Sequence, residues 1–176
     1  MTIVSQGALS PATPEKALQD IMCDCHRAIQ PTDADDCASL GEKKHECCDN
    51  AIKSHKPPPE IGGEQGYGKN GVLQSQTRKQ MKAAGTLTGT LWPDACAMSN
   101  GKPTQFFDFK FICPDGVRCY DKHTGKVWIS RGEGAADANF YFPNGSSQYD
   151  KYRRLGKKLN PKLTRDPVPL TSRSCR

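Results

Sequence analysis

The sequence predicts an α/β protein in which a central mixed sheet is flanked by helices and preceded by a cysteine-bearing helical hairpin. Helical spacing of apolar residues before residue 60, strand-like segments from about 86 to 130, and a second helical pattern after residue 146 together predict this class. The length of 176 residues suffices for one α/β core with a small addition.

Charge and cysteine content both change near residue 60. Residues 1–60 hold six Lys or Arg against ten Asp or Glu, and residues 61–176 hold nineteen against nine. Five of the nine cysteines also fall in the first segment. We therefore expect an acidic, cysteine-rich helical segment over 1–60 and a basic domain over 61–176, with its core at about 72–158. The basic balance is compatible with polyanionic partners.

Two amphipathic helices are expected in the first segment. Ser10 or Thr13 can cap the first helix, which has Pro14 in its first turn. Leu40, Cys47, Cys48, Ala51 and Ile52 mark the second. Their apolar faces predict an antiparallel pair, or packing onto the main core, with disulfides between the two helices. The prolines and glycines of 56–71 predict a linker or a long loop.

The basic domain predicts a helix, several strands and a closing helix. A helix from about Val72 to Ala84 leads into a hairpin whose Asn100-Gly101 turn joins Thr86–Met98 to Thr104–Cys113. Further expected elements are strands at Val117–Tyr120 and Val127–Ser130, a loop at 132–144, and a helix over Gln148–Lys158 capped by Ser146 or Ser147. An edge strand is expected near Val168–Thr171.

Nine cysteines and no Sec-type signal peptide point in opposite directions. An odd number cannot all pair, and cytosolic proteins rarely hold so many cysteines unless they serve metal or redox chemistry. A disulfide between Cys113 and Cys119 would close the turn between them. The alternatives are buried thiols, or a zinc site drawn from one set of residues: Cys23, Cys25, His26, His45, Cys47 and Cys48. The C-x-C-H and C-C spacings of that set are not those of common zinc modules.

The hairpin also holds the most informative polar residues. Asp94 lies on the first strand, and Asp108 and Lys110 share one face of the second. Asp94 would meet Asp108 if an irregularity bent the first strand after Pro93. Two carboxylates and an ammonium group are what metal-assisted phosphodiester hydrolysis requires. The structural alternative is a solvated ion pair on an ordinary hairpin.

These residues form a recognisable pattern. Pro93-Asp94 with Asp108-Phe109-Lys110 resembles the PD-(D/E)XK signature of the restriction-endonuclease-like superfamily, and Gln148 with Tyr152 resembles its Q-x-x-x-Y motif. The order helix, hairpin, third strand, helix is also similar to that core. The resemblance implies that Asp94 and Asp108 bind Mg²⁺ or Mn²⁺, with Glu64 as a further candidate ligand. It also implies that Lys110 assists the attacking water.

The resemblance implies a nuclease acting on nucleic acid, with DNA expected. Gln148 and Tyr152 would support the site or contact substrate, and Lys151, Arg153 and Arg154 would follow the phosphate backbone. The context is similar to the C-terminal nuclease toxins of bacterial polymorphic toxins and type VI secretion effectors. It implies delivery into a target cell's cytoplasm without a Sec signal, and a cognate immunity protein with an acidic face. No membrane span is expected, because no apolar run is long enough.

Two alternatives to a DNase remain open. One is a ribonuclease toxin on the same scaffold. The other is a secreted, disulfide-stapled binding module without catalysis, in which the D-x-K pattern is coincidental.

Overall fold

A computed structural model describes residues 12–121, 124–132, 147–162 and 165–175. Its helices are α1 (Pro14–Ala28), α2 (Cys37–Ser54), α3 (Arg78–Ala83) and α4 (Ser147–Leu159). Its strands are β1 (Ile61–Gly62), β2 (Tyr67–Gly68), β3 (Thr90–Leu91), β4 (Ala95–Ser99), β5 (Lys102–Lys110), β6 (Arg118–Tyr120), β7 (Val127–Ile129) and β8 (Val168–Thr171). The structure confirms the predicted α/β class, with a mixed central sheet and several helices.

A mixed four-stranded sheet in the order β1-β4-β5-β8 forms the centre of the fold. The β4–β5 hairpin turns at Asn100-Gly101, where both residues have positive φ, as a type I′ turn requires. β8 runs parallel to β5 and is the expected edge strand. Residues 106 to 109 of β5 are all buried, because helices cover both faces of the sheet at this strand.

A shift of register in the hairpin sets the position of its aspartates. Met98 pairs with Pro103, whereas Ala97 pairs with Gln105, so Thr104 is an extra residue in β5. Beyond the shift Ala95 pairs with Phe107, which brings the preceding residue, Asp94, level with Asp108. The expected irregularity is therefore present, but it lies next to the turn and not after Pro93.

Helices α1 and α2 cover one face of the sheet, which we call the α1/α2 face. Thr13 caps α1, and a capping box formed by Asp36 and Ser39 starts α2. Their apolar residues join those of the sheet in one core: Leu18, Met22, Cys25, Cys48, Ile52, Ala95, Ala97, Phe107, Phe109 and Leu170. Residues on both sides of the change in charge near residue 60 therefore pack into one continuous core.

Helix α4 covers the opposite face, which we call the α4 face. Tyr152 and Leu155 pack there against Phe106, Cys96 and Tyr67. The predicted cap Ser146 and most of the predicted loop at 132–144 lie outside the described residues. None of the described helices combines the length and apolar character that crossing a bilayer requires.

Several helices and strands begin, end or pair differently in the structure than the sequence predicted. The expected linker contributes β1 to the central sheet, where Gly62 lies against the Cys96 sulfur and leaves no room for a side chain. Helix α3 begins only at Arg78, where the Thr77 capping box starts it. The first hairpin strand is limited to Ala95–Ser99, since Pro93 separates it from β3.

The prediction that the strand after the hairpin is the third strand of the core is wrong. β6 and β7 pair with each other in a separate hairpin, and the strand beside β5 is β8, which follows α4. Parallel pairing with β8 needs a long connection, and short-range sequence patterns do not report it.

Candidate active site

The carboxyl groups of Asp94 and Asp108, which we call the carboxyl pair, meet at one end of the hairpin. Both residues are buried, at 7% and 5% exposure, and each carboxyl shifts the pKa of the other. Lys110, two residues along β5, forms an ion pair with Asp108. The structure thus brings together the three residues that the sequence singled out.

Different surroundings push the pKa values of the two carboxyls in opposite directions. Burial and the Asp94 charge raise the pKa of Asp108 to about 7, against the attraction of Lys110. Burial also disfavours the charged form of Asp94, but hydrogen bonds from His45 and from the backbone N–H of Phe109 lower its pKa. The Phe109 nitrogen donates to Asp94 Oδ2 at 2.7 Å. Asp108 is therefore the carboxyl of the pair that takes up a proton more readily.

His45 of α2 is a member of the site that the sequence did not assign to it. Its Nδ1 lies 3.3 Å from Asp94 Oδ1, and its ring contacts Phe109 and Phe111. Burial works against the charged ring, but the hydrogen bond and charge of Asp94 outweigh it and raise the pKa of His45. The only sequence signal was its place beside the buried stripe of α2 formed by Lys44, Cys48 and Ile52.

Glu64 lies on the rim of the site. Burial raises its pKa, the Asp94 charge adds to that effect, and Arg78 of α3 opposes it from 3.5 Å. The Glu64 charge in turn raises the pKa of His45. In the part of the chain that the structure describes, Glu64 does not form a cluster of ligand atoms with Asp94 and Asp108, so its role as a metal ligand stays a prediction.

Gln148 and Tyr152 reach the carboxyl pair from α4. Their spacing of four residues places both on one side of the helix. Gln148 Nε2 donates to Asp108 Oδ1 at 3.3 Å and to the Tyr152 hydroxyl at 3.4 Å, and that hydroxyl donates to the Trp92 carbonyl at 3.0 Å. Gln148 is therefore held against Asp108 by a side chain that is itself anchored in the core.

A cleft of about 300 Å³ opens beside these two residues. Its walls combine the cations Arg78 and Lys151 with the apolar side chains of Leu87, Leu91 and Trp92. Arg153 instead pairs with Asp166 at 3.3 Å, and Arg154 donates to the Asp150 carbonyl on its own helix. Of the three predicted backbone-contacting cations, Lys151 alone lines this cleft.

The cysteine pairing confirms the predicted disulfide between the first two helices and differs from the prediction elsewhere. Cys25 joins Cys47 and so links α1 to α2, and Cys23 joins Cys175. Because Cys23, Cys25 and Cys47 are in disulfides, the zinc set drawn from the first segment is wrong. Cys113 and Cys119 do come together, but Cys37 lies between them and within bonding distance of either. Cys48 and Cys96 are buried free thiols.

Comparison with family models, with curated proteins and with solved structures found no match for the chain.

Proposed function

We propose that this chain is a Mg²⁺-dependent nuclease that hydrolyses phosphodiester bonds in DNA and acts as a toxin against competing bacteria. The observation that carries the proposal is the carboxyl pair with Lys110, placed on neighbouring strand ends and contacted by Gln148 from α4. Buried carboxylates beside a lysine suit phosphoryl chemistry, since the site must both hold a cation and stabilise charge on a phosphate.

The donor set fits a hard divalent cation such as Mg²⁺ or Mn²⁺. Asp94 and Asp108 offer carboxylate oxygens, and Glu64 is a further candidate ligand. A divalent cation held by the two aspartates would relieve the repulsion between their charges. When bound, the metal supplies an activated water and neutralises charge developing on the phosphate.

The side chains around the carboxyl pair have separate proposed roles. Lys110 keeps an ammonium group next to Asp108, where it would orient the attacking water or stabilise the phosphate charge. Gln148 fixes the orientation of Asp108, and Tyr152 fixes Gln148. His45 places an imidazole ring beside Asp94.

The cleft provides a place for the substrate next to this chemistry. Arg78 and Lys151 attract phosphate oxygens, and the apolar wall at Leu87, Leu91 and Trp92 suits the face of a base. The volume is at the lower end of the range for ligand pockets, so one nucleotide rather than a duplex would enter it. The strand would then pass the carboxyl pair as it leaves the cleft.

The disulfides bear on where the protein is made and used. Several disulfides in a small protein are typical of an oxidising compartment. We propose export by a secretion machine that uses no Sec signal, entry into the target cell's cytoplasm, and neutralisation in the producing cell by an immunity protein. An acidic face on that protein would complement Arg78 and Lys151.

The test is expression of the full chain in bacterial cytoplasm, together with assays of the purified protein on plasmid and on total RNA. We expect growth arrest and Mg²⁺-dependent plasmid degradation, both abolished by Asp108→Ala and by Lys110→Ala. Lys102→Ala is the matched control, because Lys102 is exposed at the other end of the same strand. Degradation of RNA but not plasmid would identify a ribonuclease, and full activity of Asp108→Ala would refute the proposal.

A further inference from the structure

Three cysteines from distant parts of the chain converge in a site separate from the carboxyl pair. Cys37 is the first residue of α2, Cys113 follows β5, and Cys119 lies on β6. Their sulfur atoms all lie within 4.8 Å of one another. Val117 and Trp128 pack around them, and Cys113 and Cys119 are buried. We call this group the thiol cluster.

The thiol cluster holds one more sulfur than a disulfide can use. Cys37 is in bonding position with Cys113 and equally with Cys119, but a sulfur atom forms a single disulfide at a time. The other cysteines are either in exclusive pairs, Cys23–Cys175 and Cys25–Cys47, or are free at Cys48 and Cys96. The odd cysteine of the chain therefore lies beside a disulfide.

We propose that the thiol cluster is a disulfide-exchange site in which Cys37 alternates between Cys113 and Cys119. In the exchange, the thiolate of Cys119 attacks Cys37 Sγ, the Cys37–Cys119 bond forms, and the Cys37–Cys113 bond breaks with its electron pair leaving on Cys113 Sγ. The proton lost by Cys119 is matched by one gained by Cys113. One disulfide exists before and after, so the step needs no oxidant or reductant.

The backbone around the cluster suits both pairings without rearrangement. The Cα atom of Cys37 lies 5.4 Å from that of Cys113 and 5.0 Å from that of Cys119, and both separations are ordinary for disulfides. Ser130 holds the two segments together, since its hydroxyl donates to the Cys113 carbonyl and its N–H to the Val117 carbonyl. Rotation of side chains is then sufficient for the exchange.

Each isomer ties α2 to a different segment. With Cys113, the start of α2 is joined to the chain three residues after Lys110. With Cys119, it is joined to the β6–β7 hairpin, and the segment after β5 is released from that link. The exchange is therefore a choice between two covalent connections of one helix.

Peptide mapping of the protein isolated without reductant tests the proposal. Thiols are blocked with N-ethylmaleimide in acidic denaturant, which stops exchange because thiolate is then scarce. Trypsin cuts at Arg118 and so separates Cys113 (peptide 111–118) from Cys119 (peptide 119–122), while Cys37 lies in peptide 28–43. We expect peptide 28–43 to be linked to each of the other two, with blocked Cys119 and Cys113 in complementary amounts.

Isolated isomers and cysteine variants then distinguish exchange from two static populations of disulfide isomers. Separated isomers should return to the same mixture at about pH 8 and stay apart at about pH 4, where thiolate is absent. Cys113→Ser and Cys119→Ser should each hold the one remaining pairing, and Cys96→Ser, outside the cluster, should keep both. A single pairing throughout, a Cys113–Cys119 bond, isomers that never interconvert, or three thiols with one bound zinc ion would overturn the proposal.

Discussion

The two faces of the central sheet are held to it by different means. The α1/α2 face carries covalent links: Cys25–Cys47 joins the two helices, Cys23–Cys175 ties α1 to the segment after β8, and Cys37 ties α2 to Cys113 or to Cys119. The α4 face has no disulfide among the described residues and rests on Tyr152, Leu155 and Phe106, with hydrogen bonds to Asp108 and Trp92.

The cross-linked α1/α2 face therefore acts as a rigid scaffold, and the α4 face completes the candidate site. The cross-linked face limits the movement of α2 and so fixes His45 against Asp94. The α4 face supplies Gln148 and the cleft, which under the proposed function accept and release a substrate. The carboxyl pair lies at the sheet end and is contacted from both sides, so perturbing each face should affect stability and activity in different proportions.

Breaking the long disulfide is the largest perturbation we expect. Cys23–Cys175 spans 152 residues and Cys25–Cys47 spans 22, so their removal should lower the free energy of unfolding by about 5 and about 3 kcal/mol. Chemical denaturation of Cys23→Ser and Cys25→Ser checks this. Cys96→Ser on the α4 face is the control, with an expected loss below about 1 kcal/mol. Equal losses of unfolding free energy in all three variants would show that disulfides do not distinguish the two faces.

Perturbing the α4 face should reduce activity more than stability. Gln148→Ala removes the donor that orients Asp108, and we expect the cleavage rate to fall about 10- to 100-fold. Tyr152→Phe should give a smaller loss in the same direction, because Gln148 keeps its bond to Asp108. Tyr149→Phe is the matched control on the same helix, since the Tyr149 hydroxyl interacts with Asp166. Unchanged kcat/KM in Gln148→Ala would show that α4 only covers the sheet.

The smallest effect concerns the stability cost of the carboxyl pair. The pKa of Asp108 is about 7 in the folded state and 3.8 ordinarily, so its contribution to stability is full below about pH 4 and is lost as pH rises through 7. Asp108→Asn removes this dependence. In EDTA at about pH 8 it should be more stable than the wild type by on the order of 1–2 kcal/mol.

Denaturation curves between about pH 4 and 8 measure that difference. The two proteins should converge as the pH falls, because Asp108 is then protonated in the folded and the unfolded chain. A difference that stays constant with pH would show that the carboxyl pair carries no such cost.

Local patterns predicted much of the hairpin and the meeting of its polar side chains. The Asn100-Gly101 turn, the β5 strand and the Gln148–Tyr152 spacing are short-range features, and each matches the structure. The meeting of Asp94 with Asp108 was expected through an irregularity, but its position at Thr104 was not, because a bulge depends on how the hairpin packs.

Long-range contacts explain what the sequence did not reveal. His45 is separated from Asp94 by 49 positions, and nothing in the spacing of α2 indicates which part of the sheet it would face. The parallel pairing of β8 with β5 and the choice of Cys37 as partner for Cys113 and Cys119 are of the same kind. Glu64 was a candidate only by proximity in sequence, and the packing of the glycine-rich segment against β4 brings it to the rim.

The most direct test of the central claim, that the carboxyl pair with Lys110 is a metal-dependent catalytic centre, is the rate of plasmid cleavage as a function of Mg²⁺ concentration. For the wild type we expect no cleavage in EDTA and a rate that rises and saturates with Mg²⁺. Asp108→Asn, which keeps the shape of the side chain, should show no cleavage at any concentration, a loss of at least about 10³-fold. Cleavage by the wild type in EDTA, or by Asp108→Asn at the wild-type rate, would contradict the account.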